Sequence, residues 1–317
     1  MSSQPVTVYF GETLGSYGFG DGHPFGTDRL QAFWKETLKQ GLDQKVNIAS
    51  PRKCPEEALT RFHTQDYVSR VRAQSKTGHG YLDAGDTPAF QGVYEAGCTV
   101  VGSVLDGMEQ ILTGSHPKVF VPIAGLHHAR RDSAAGFCVF NDIGVLIESL
   151  RQLHGIRRIA YVDIDAHHGD GVFYAYESDP ELICVDIHED GRFLYPGTGS
   201  VEETGMGEAE GLKMNIPLLP QANDEQFQSI WPTLEAFVRK GKPELIILQA
   251  GADSIKGDPL THMAFTPAAH AHAAARLSKL ANELCNGRMI ALGGGGYNRT
   301  NLALAWNGVI QAMLDED

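Results

Sequence analysis

The 317-residue sequence lacks several features that would assign it to a broad class of protein. It has five cysteines, an odd number, and no two of them form a Cys-x-x-Cys pair, so we expect reduced thiols and no disulfide framework. It has no run of 18 apolar residues, and residues 1–15 lack the basic start and apolar core of a signal peptide. These absences favour a cytoplasmic protein that does not span a membrane.

Positive charge is also scarce. The 26 lysine and arginine residues are outnumbered by 39 aspartate and glutamate residues, which gives a net charge of −13. A surface of this sign repels phosphate backbones, so we expect no direct binding to nucleic acid. It attracts cationic groups such as a lysine side chain or a polyamine, although a charge of this size also serves simply to keep a protein soluble.

No linker, charge block or low-complexity segment divides the chain, so we expect one domain over residues 1–317. Stretches with helical apolar periodicity alternate with short, uninterrupted apolar runs, which are typical of strands buried on both faces. This pattern predicts an α/β fold of three layers, with helices on both sides of a mostly parallel central sheet. The predicted helices are 28–41, 93–112, 142–154, 225–240, 267–285 and 302–314, with Thr27, Asn141, Asp224 and Thr266 as N-caps, and the predicted strands are 119–123, 159–164, 182–187, 245–248 and 289–292.

Most of the chemically reactive side chains follow the predicted strands at their carboxyl ends. A histidine pair at 127–128 follows the first strand, and residues 163–170 end and follow the second. Asp253 follows the fourth and Tyr297 follows the fifth. Ligands of open α/β sheets bind at this edge, so we expect four separate segments to contribute to one site.

The segment Asp163-Ile-Asp-Ala-His-His-Gly-Asp170 holds three carboxylates and two imidazoles, which cannot all be buried without partners. Alternation along an extended chain places Asp165 and His167 on one side, where they could share a metal ion with Asp253 as third ligand. Two carboxylates and one imidazole leave a fourth position open, as catalytic zinc sites require, although Fe(II), Co(II) and Mn(II) also suit this set. The alternatives are a salt-bridged strand end for the segment and a helix cap or turn for Asp253.

The histidine pair His127–His128 is suited to acid–base chemistry. Asp163 and Asp170 are left over from the metal set, and each could hold one imidazole in its working tautomer. Such a system can activate water and protonate an amine.

Four glycines, Gly293–Gly296, precede Tyr297. They lack the spacing of a dinucleotide-binding loop and the lysine of a phosphate-binding loop. We interpret them as a flexible turn that brings the tyrosine hydroxyl to the open side of the metal, where it could donate to a developing oxyanion. A packed tyrosine is the alternative.

Taken together, these motifs resemble the histone deacetylase family of the arginase–deacetylase fold, which includes bacterial acetoin-utilisation proteins and acetylpolyamine amidohydrolases. The resemblance covers nearly the whole chain, with the motifs in the family's order. It rests on residues 22–29, 127–132, 136–138, 141–142, 163–171, 196–199, 251–253, 257–259 and 293–297.

The resemblance implies a zinc-dependent amidohydrolase that removes an acyl group, most simply acetyl, from an amine by means of metal-activated water. It also implies individual roles at the centre of the site. These are Asp165, His167 and Asp253 as zinc ligands, His127 paired with Asp163 as electrostatic partner, His128 paired with Asp170 as general base and later acid, and Tyr297 as oxyanion donor.

Further roles follow from the same resemblance. Gly136 and Phe137 are expected to line the tunnel that holds the acylated stem, Asp86 to hold a peptide backbone, and Arg29 to lie near the exit for acetate. Tyr195 stands where the family usually has phenylalanine, so its hydroxyl could bond a substrate group. The resemblance also implies a structural potassium ion on the backbone around residues 163–167, near Asp186 and Ile187.

The substrate class depends on Leu260, which follows the turn Gly257-Asp-Pro259. Some polyamine-selective relatives carry a glutamate gate there, so the sequence favours acyl-lysine, with an acetylpolyamine amidohydrolase as the alternative. An arginase-like two-metal hydrolase would need more bridging carboxylates, and a catalytically silent acyl-binding protein would be expected to have lost a catalytic residue. A homo-oligomer is left open.

Overall fold

The computed structural model describes residues 6–20, 22–114 and 117–316. Within these segments eight strands form one sheet, in which all neighbouring strands are parallel. The strands are β1 Val6–Tyr9, β2 Asn47–Ala49, β3 Lys118–Val121, β4 Ile159–Asp163, β5 Leu182–Glu189, β6 Lys213–Leu218, β7 Leu245–Gln249 and β8 Met289–Leu292, and their order is β2-β1-β3-β8-β7-β4-β5-β6. This confirms the predicted α/β class and the parallel sheet.

Helices cover both faces of the sheet. The helices are α1 Glu12–Gly15, α2 Arg29–Lys39, α3 Glu56–Leu59, α4 Gln65–Thr77, α5 Val93–Leu112, α6 Asp142–His154, α7 Asp170–Ala175, α8 Asp224–Gly241, α9 Pro267–Leu284 and α10 Arg299–Asp315. Helices α3, α4, α5 and α6 form one contacting group and α2, α8, α9 and α10 form a second, and strand β8 contacts one helix of each group, α5 and α9. Short 3-10 helices cover Leu42–Gln44, Gly207–Ala209 and Ala252–Ser254.

Capping side chains set the start of several helices. Asn141 accepts from the backbone N–H of Gly144, and Thr266 caps α9, as predicted. Two predicted caps are wrong. Helix α8 is capped by Asn223 because Asn223 and Gln226 form a reciprocal capping box. Helix α2 starts after Asp28, one residue beyond the predicted cap, without a side-chain capping bond.

The four strands that precede the reactive residues are neighbours in the sheet, in the order β3-β8-β7-β4. Val121, Leu292, Gln249 and Asp163 form one row across their carboxyl ends. Because the strands are parallel, the loops that follow them leave the sheet at the same edge. This row is the floor of the candidate site.

Within the described residues, no helix is long and apolar enough to cross a bilayer. The five cysteines are buried and free of disulfides.

Candidate active site

Asp165, His167 and Asp253 converge beyond the ends of β4 and β7. Nδ1 of His167 lies 3.1 Å from Oδ1 of Asp165 and 3.0 Å from Oδ2 of Asp253. One ligand atom from each residue lies within 4.8 Å of the other two. The predicted ligand set is therefore brought together in a buried position.

The chemistry of this cluster fits a divalent cation. Burial, followed by the nearby charge of Asp165, raises the pKa of Asp253 to about 7, so the two carboxylates are held together against their repulsion. Glycines leave the room that these carboxylates occupy. A Cβ on Gly295 would lie 2.2 Å from Oδ2 of Asp253, and a Cβ on Gly251 would lie 2.0 Å from Oδ2 of Asp165. Two carboxylates and one imidazole form a set that zinc accepts.

Gln249, the last residue of β7, was not singled out by the sequence analysis. Its side-chain amide donates to Oδ2 of Asp165 at 2.9 Å and accepts from the backbone N–H of Gly251 at 2.7 Å. The N–H of Gly295 donates to the same Asp165 oxygen at 2.8 Å. These bonds fix the orientation of one candidate ligand before any metal binds. The residue ends an apolar strand, and that position is the only signal of its role in the sequence.

Each imidazole of the histidine pair has its own carboxylate, as predicted. Nδ1 of His127 lies 2.7 Å from Oδ2 of Asp163, and Nδ1 of His128 lies 2.7 Å from Oδ1 of Asp170. The two Nε2 atoms lie 3.1 Å apart. If both Nδ1 atoms donate to carboxylates, these Nε2 atoms must share one proton, because two facing lone pairs would repel.

The two histidines are not equivalent. Burial, followed by the charge of His127, lowers the pKa of His128 to about 4. His128 is therefore neutral at pH 7, which is the form that accepts a proton. Arg130 also reaches Oδ2 of Asp170 at 3.3 Å and favours the ionised carboxylate.

Two buried groups to which the sequence analysis assigned no role support the histidine pair. Asp142, the first residue of α6, accepts from the N–H groups of Gly125 and Leu126 at 2.8 Å each, just before the histidines. The hydroxyl of Tyr161 donates to the Asp163 oxygen that faces His127. The bonds of Asp142 join residues 16 and 17 positions apart, so they are not visible in local sequence, whereas Tyr161 and Asp163 are two residues apart on the same strand.

Tyr297 closes the site from the end of β8. Arg29 is fully buried and donates from Nε to the carbonyl of Gly296 at 2.9 Å and from Nη2 to that of Gly294 at 2.6 Å. Burial and the charge of Asp253 raise the pKa of the Tyr297 phenol well above its usual range, so the hydroxyl remains a donor. The tyrosine thus lies beside the candidate metal ligands, as the glycine turn predicted.

A narrow cavity opens onto these groups. Its lining includes both histidines of the pair, Gly136, Asp165, His167 and Tyr297. The Phe137 ring lies 5.8 Å from that of Tyr297, and the Tyr195 ring lies 5.2 Å from that of His128. Gly136 has a positive φ of 51°, and a Cβ there would lie 2.5 Å from His128. The three predicted tunnel residues therefore border the site.

Asp86 lies in the loop beside the mouth of this cavity, in a groove that also contains Tyr195 and Arg130. Burial, together with a hydrogen bond to Asp83 and its charge, raises the pKa of Asp86 to about 6. The carboxylate is therefore mainly ionised at neutral pH. Leu260 is half-buried, and it is absent from both the described lining of this groove and that of the cavity.

Comparison with known proteins places this geometry in a family. A family model described as histone deacetylase domain matches residues 23–313. The chain belongs to the histone deacetylase family. It is 35% identical over 291 residues to the acetoin utilization protein AcuC of Bacillus subtilis (strain 168), covering 89% of this chain and 75% of that protein.

Two further similarities come from histone deacetylases. The chain is 32% identical over 323 residues to histone deacetylase 1 of Homo sapiens, covering 98% of this chain and 65% of that protein. Among solved structures, the HDA15 HD domain matches with a TM-score of 0.90 at 26% identity, covering 98% of this chain and 89% of that one. The family resemblance and the fold class are therefore both confirmed.

Proposed function

We propose that the protein is a zinc-dependent amidohydrolase that removes an acetyl group from the side-chain amine of lysine. The observation that supports this most directly is the meeting of four groups around one cavity. These are the metal-ligand cluster of residues 165, 167 and 253, two histidine–aspartate pairs, and the hydroxyl of Tyr297. Membership of a deacetylase family points to the same reaction class.

Asp165, His167 and Asp253 would hold the zinc ion, which when bound polarises the acyl carbonyl and lowers the pKa of the attacking water. Fe(II) or Co(II) would suit the same ligands. We also propose that a structural potassium ion binds near residues 163–167.

The remaining steps use protein side chains. Nε2 of His128 takes a proton from the attacking water, and the Tyr297 hydroxyl donates a hydrogen bond to the carbonyl oxygen as it gains negative charge. The C–N bond then breaks while His128, or His127, protonates the amine nitrogen. The products are a free amine and a carboxylate. The guanidinium of Arg29 lies beneath the site, and its Nη1 is without a hydrogen-bond partner among the described residues, so it could attract the departing carboxylate.

Two features of the chain, at Asp86 and Leu260, support a peptide substrate over an acetylpolyamine. Asp86 is ionised at neutral pH and could accept backbone N–H groups of a peptide. Leu260 offers no charge to the distal ammonium group of a polyamine. Tyr195 and the net charge of −13 instead support an acetylpolyamine substrate.

A deacylation screen tests this proposal. The purified zinc form should be assayed against acyl-lysine peptides of increasing acyl length, and against N-acetylputrescine and N-acetylcadaverine. We expect the highest kcat/KM with acetyl-lysine peptides. A preference of tenfold or more for the acetylpolyamines would contradict the substrate assignment, and no turnover of any amide would favour the silent acyl-binding alternative.

Leu260→Glu is expected to shift selectivity toward acetylpolyamines. A carboxylate in a partly dry site favours a nearby ammonium, so the kcat/KM ratio of acetylputrescine to acetyl-lysine peptide should rise by roughly tenfold or more. Leu260→Gln is the matched control, because it has a similar shape without the charge. Equal ratios in the two variants would show that position 260 does not select by charge.

Tyr297→Phe is expected to lower kcat by roughly 10²–10³, the usual effect of losing one oxyanion donor. The phenyl ring keeps the contacts with Phe137 and Phe25, so the fold and the bound zinc should be retained. Single-turnover rates and zinc content would be measured on the same sample. A loss smaller than about threefold would mean that another group stabilises the oxyanion.

A further inference from the structure

The backbone that carries Tyr297 is a run of four glycines. Gly294 and Gly296 have positive φ values of 67° and 119°. A Cβ on Gly294 would lie 2.4 Å from Nε2 of Gln249, so this close approach requires glycine. Glycine also gives the chain little conformational preference of its own, so the position of Tyr297 must be fixed by contacts from outside the turn.

The turn is held from two sides. Arg29 donates to the carbonyl groups of Gly294 and Gly296. On the other side, Oδ2 of Asp258 accepts from the backbone N–H of Tyr297 at 2.8 Å and from that of the next residue at 3.4 Å. The guanidinium thus binds carbonyl groups before the tyrosine, and the carboxylate binds N–H groups at and after it.

Asp258 is an unusual residue in this position. It is only 7% exposed, and none of the described lysine, arginine or histidine residues forms an ion pair with it. Its other oxygen accepts from the N–H of Leu260 at 3.0 Å. A buried carboxylate without a cation is costly, and here its acceptors are used entirely by backbone N–H groups of two turns.

We infer that Asp258 is a positioning residue for the Tyr297 hydroxyl. An acceptor-only side chain suits this task, because the N–H groups face it from both turns and a side-chain donor would oppose one of them. The inference rests on the proposed function, in which Tyr297 donates to the oxyanion. Asp258 is not one of the candidate metal ligands and does not line the cavity itself; it contacts the lining through the backbone N–H of Tyr297.

A purely structural tether is the competing explanation, and the chain supplies a matched control. The side-chain amide of Asn301 donates to the carbonyl of Lys256 at 3.1 Å, so it bridges the same two segments without contacting the Tyr297 backbone. Asn301→Ala should therefore remove a tether of the same kind and leave kcat within about twofold of the wild type.

The test combines two measurements on Asp258→Ala. We expect kcat to fall roughly tenfold or more, since small misplacements of a catalytic group have effects of this size. KM and zinc content should change little. In the Tyr297→Phe background, Asp258→Ala should lower kcat by less than about twofold, because its effect depends on the Tyr297 hydroxyl, which is already absent. Asp258→Asn keeps one acceptor oxygen and should recover part of the loss.

Hydrogen exchange supplies a readout that does not depend on turnover. The amides of Tyr297 and Asn298 should exchange faster in Asp258→Ala than in the wild type or Asn301→Ala, with or without zinc. Additive losses in the double variant, or equal losses in Asp258→Ala and Asn301→Ala, would overturn the inference. So would unchanged exchange at these amides. A wild type that deacylates no substrate would contradict the proposed function instead, and the exchange rates would still decide whether Asp258 holds the turn.

Discussion

Asp253→Ala is expected to release the bound zinc and to lower kcat/KM by a factor of about 10⁴ or more, since the metal supplies several kcal/mol of transition-state stabilisation. Only Asp165 and His167 would remain as ligands, and two ligands hold zinc poorly. His167→Ala should have the same effect. Zinc would be measured by elemental analysis after dialysis, and turnover with an acetyl-lysine peptide.

The fold should survive this substitution. Burial and Asp165 raise the pKa of Asp253, so losing its charge relieves repulsion in the metal-free protein. Asp253→Asn retains an acceptor for the N–H of Ala166, now 2.8 Å from Oδ1, and should change Tm least. Asp258→Asn is the control, since that carboxylate contacts backbone N–H groups and should not affect zinc. Stoichiometric zinc and near-native rates in Asp253→Ala would refute the ligand assignment.

The central strands were predictable because the apolar composition that marks them lies within each strand's own sequence. Runs such as Ile159–Asp163 and Leu245–Gln249 are apolar up to their last residue and buried on both faces, so they differ clearly from the amphipathic helices between them. The three strands that were missed are β1, β2 and β6. Of these, β2 and β6 are the edges of the sheet; β2 has three residues, and β6 contains Pro217 and is half-exposed along most of its length. Short or partly polar edge strands lack this signal.

The residues of the candidate site were predictable where the side chain itself suggests a metal ligand or an acid–base group. They were less predictable where the side chain only orients another group. Asp165, His167 and the histidine pair stand in a dense polar segment or in the loop that follows a strand, so their convergence followed from a parallel sheet. Gln249, Tyr161 and Asp258 act through partners 84, 2 and 39 residues away in sequence. Their side chains orient other groups, and the sequence carries no pattern for that role. The contacts of Gln249 and Asp258 are revealed only by the sheet order β3-β8-β7-β4 and the loops above it, and that of Tyr161 by its position on the same strand as Asp163.

His128→Ala is expected to lower kcat by roughly 10³–10⁴, at the upper end for one acid–base group, because His128 is the proposed general base and also the first candidate to protonate the amine. Asp170 keeps Arg130 at 3.3 Å, so the fold and the zinc site should persist. A hydroxamate should therefore still bind, which calorimetry can measure alongside turnover. His127→Ala should lower kcat less, since His127 is proposed as the electrostatic partner of His128, with the two Nε2 atoms 3.1 Å apart. If His128→Ala instead retains more than about a tenth of wild-type turnover while His127→Ala is inactive, the general base is His127.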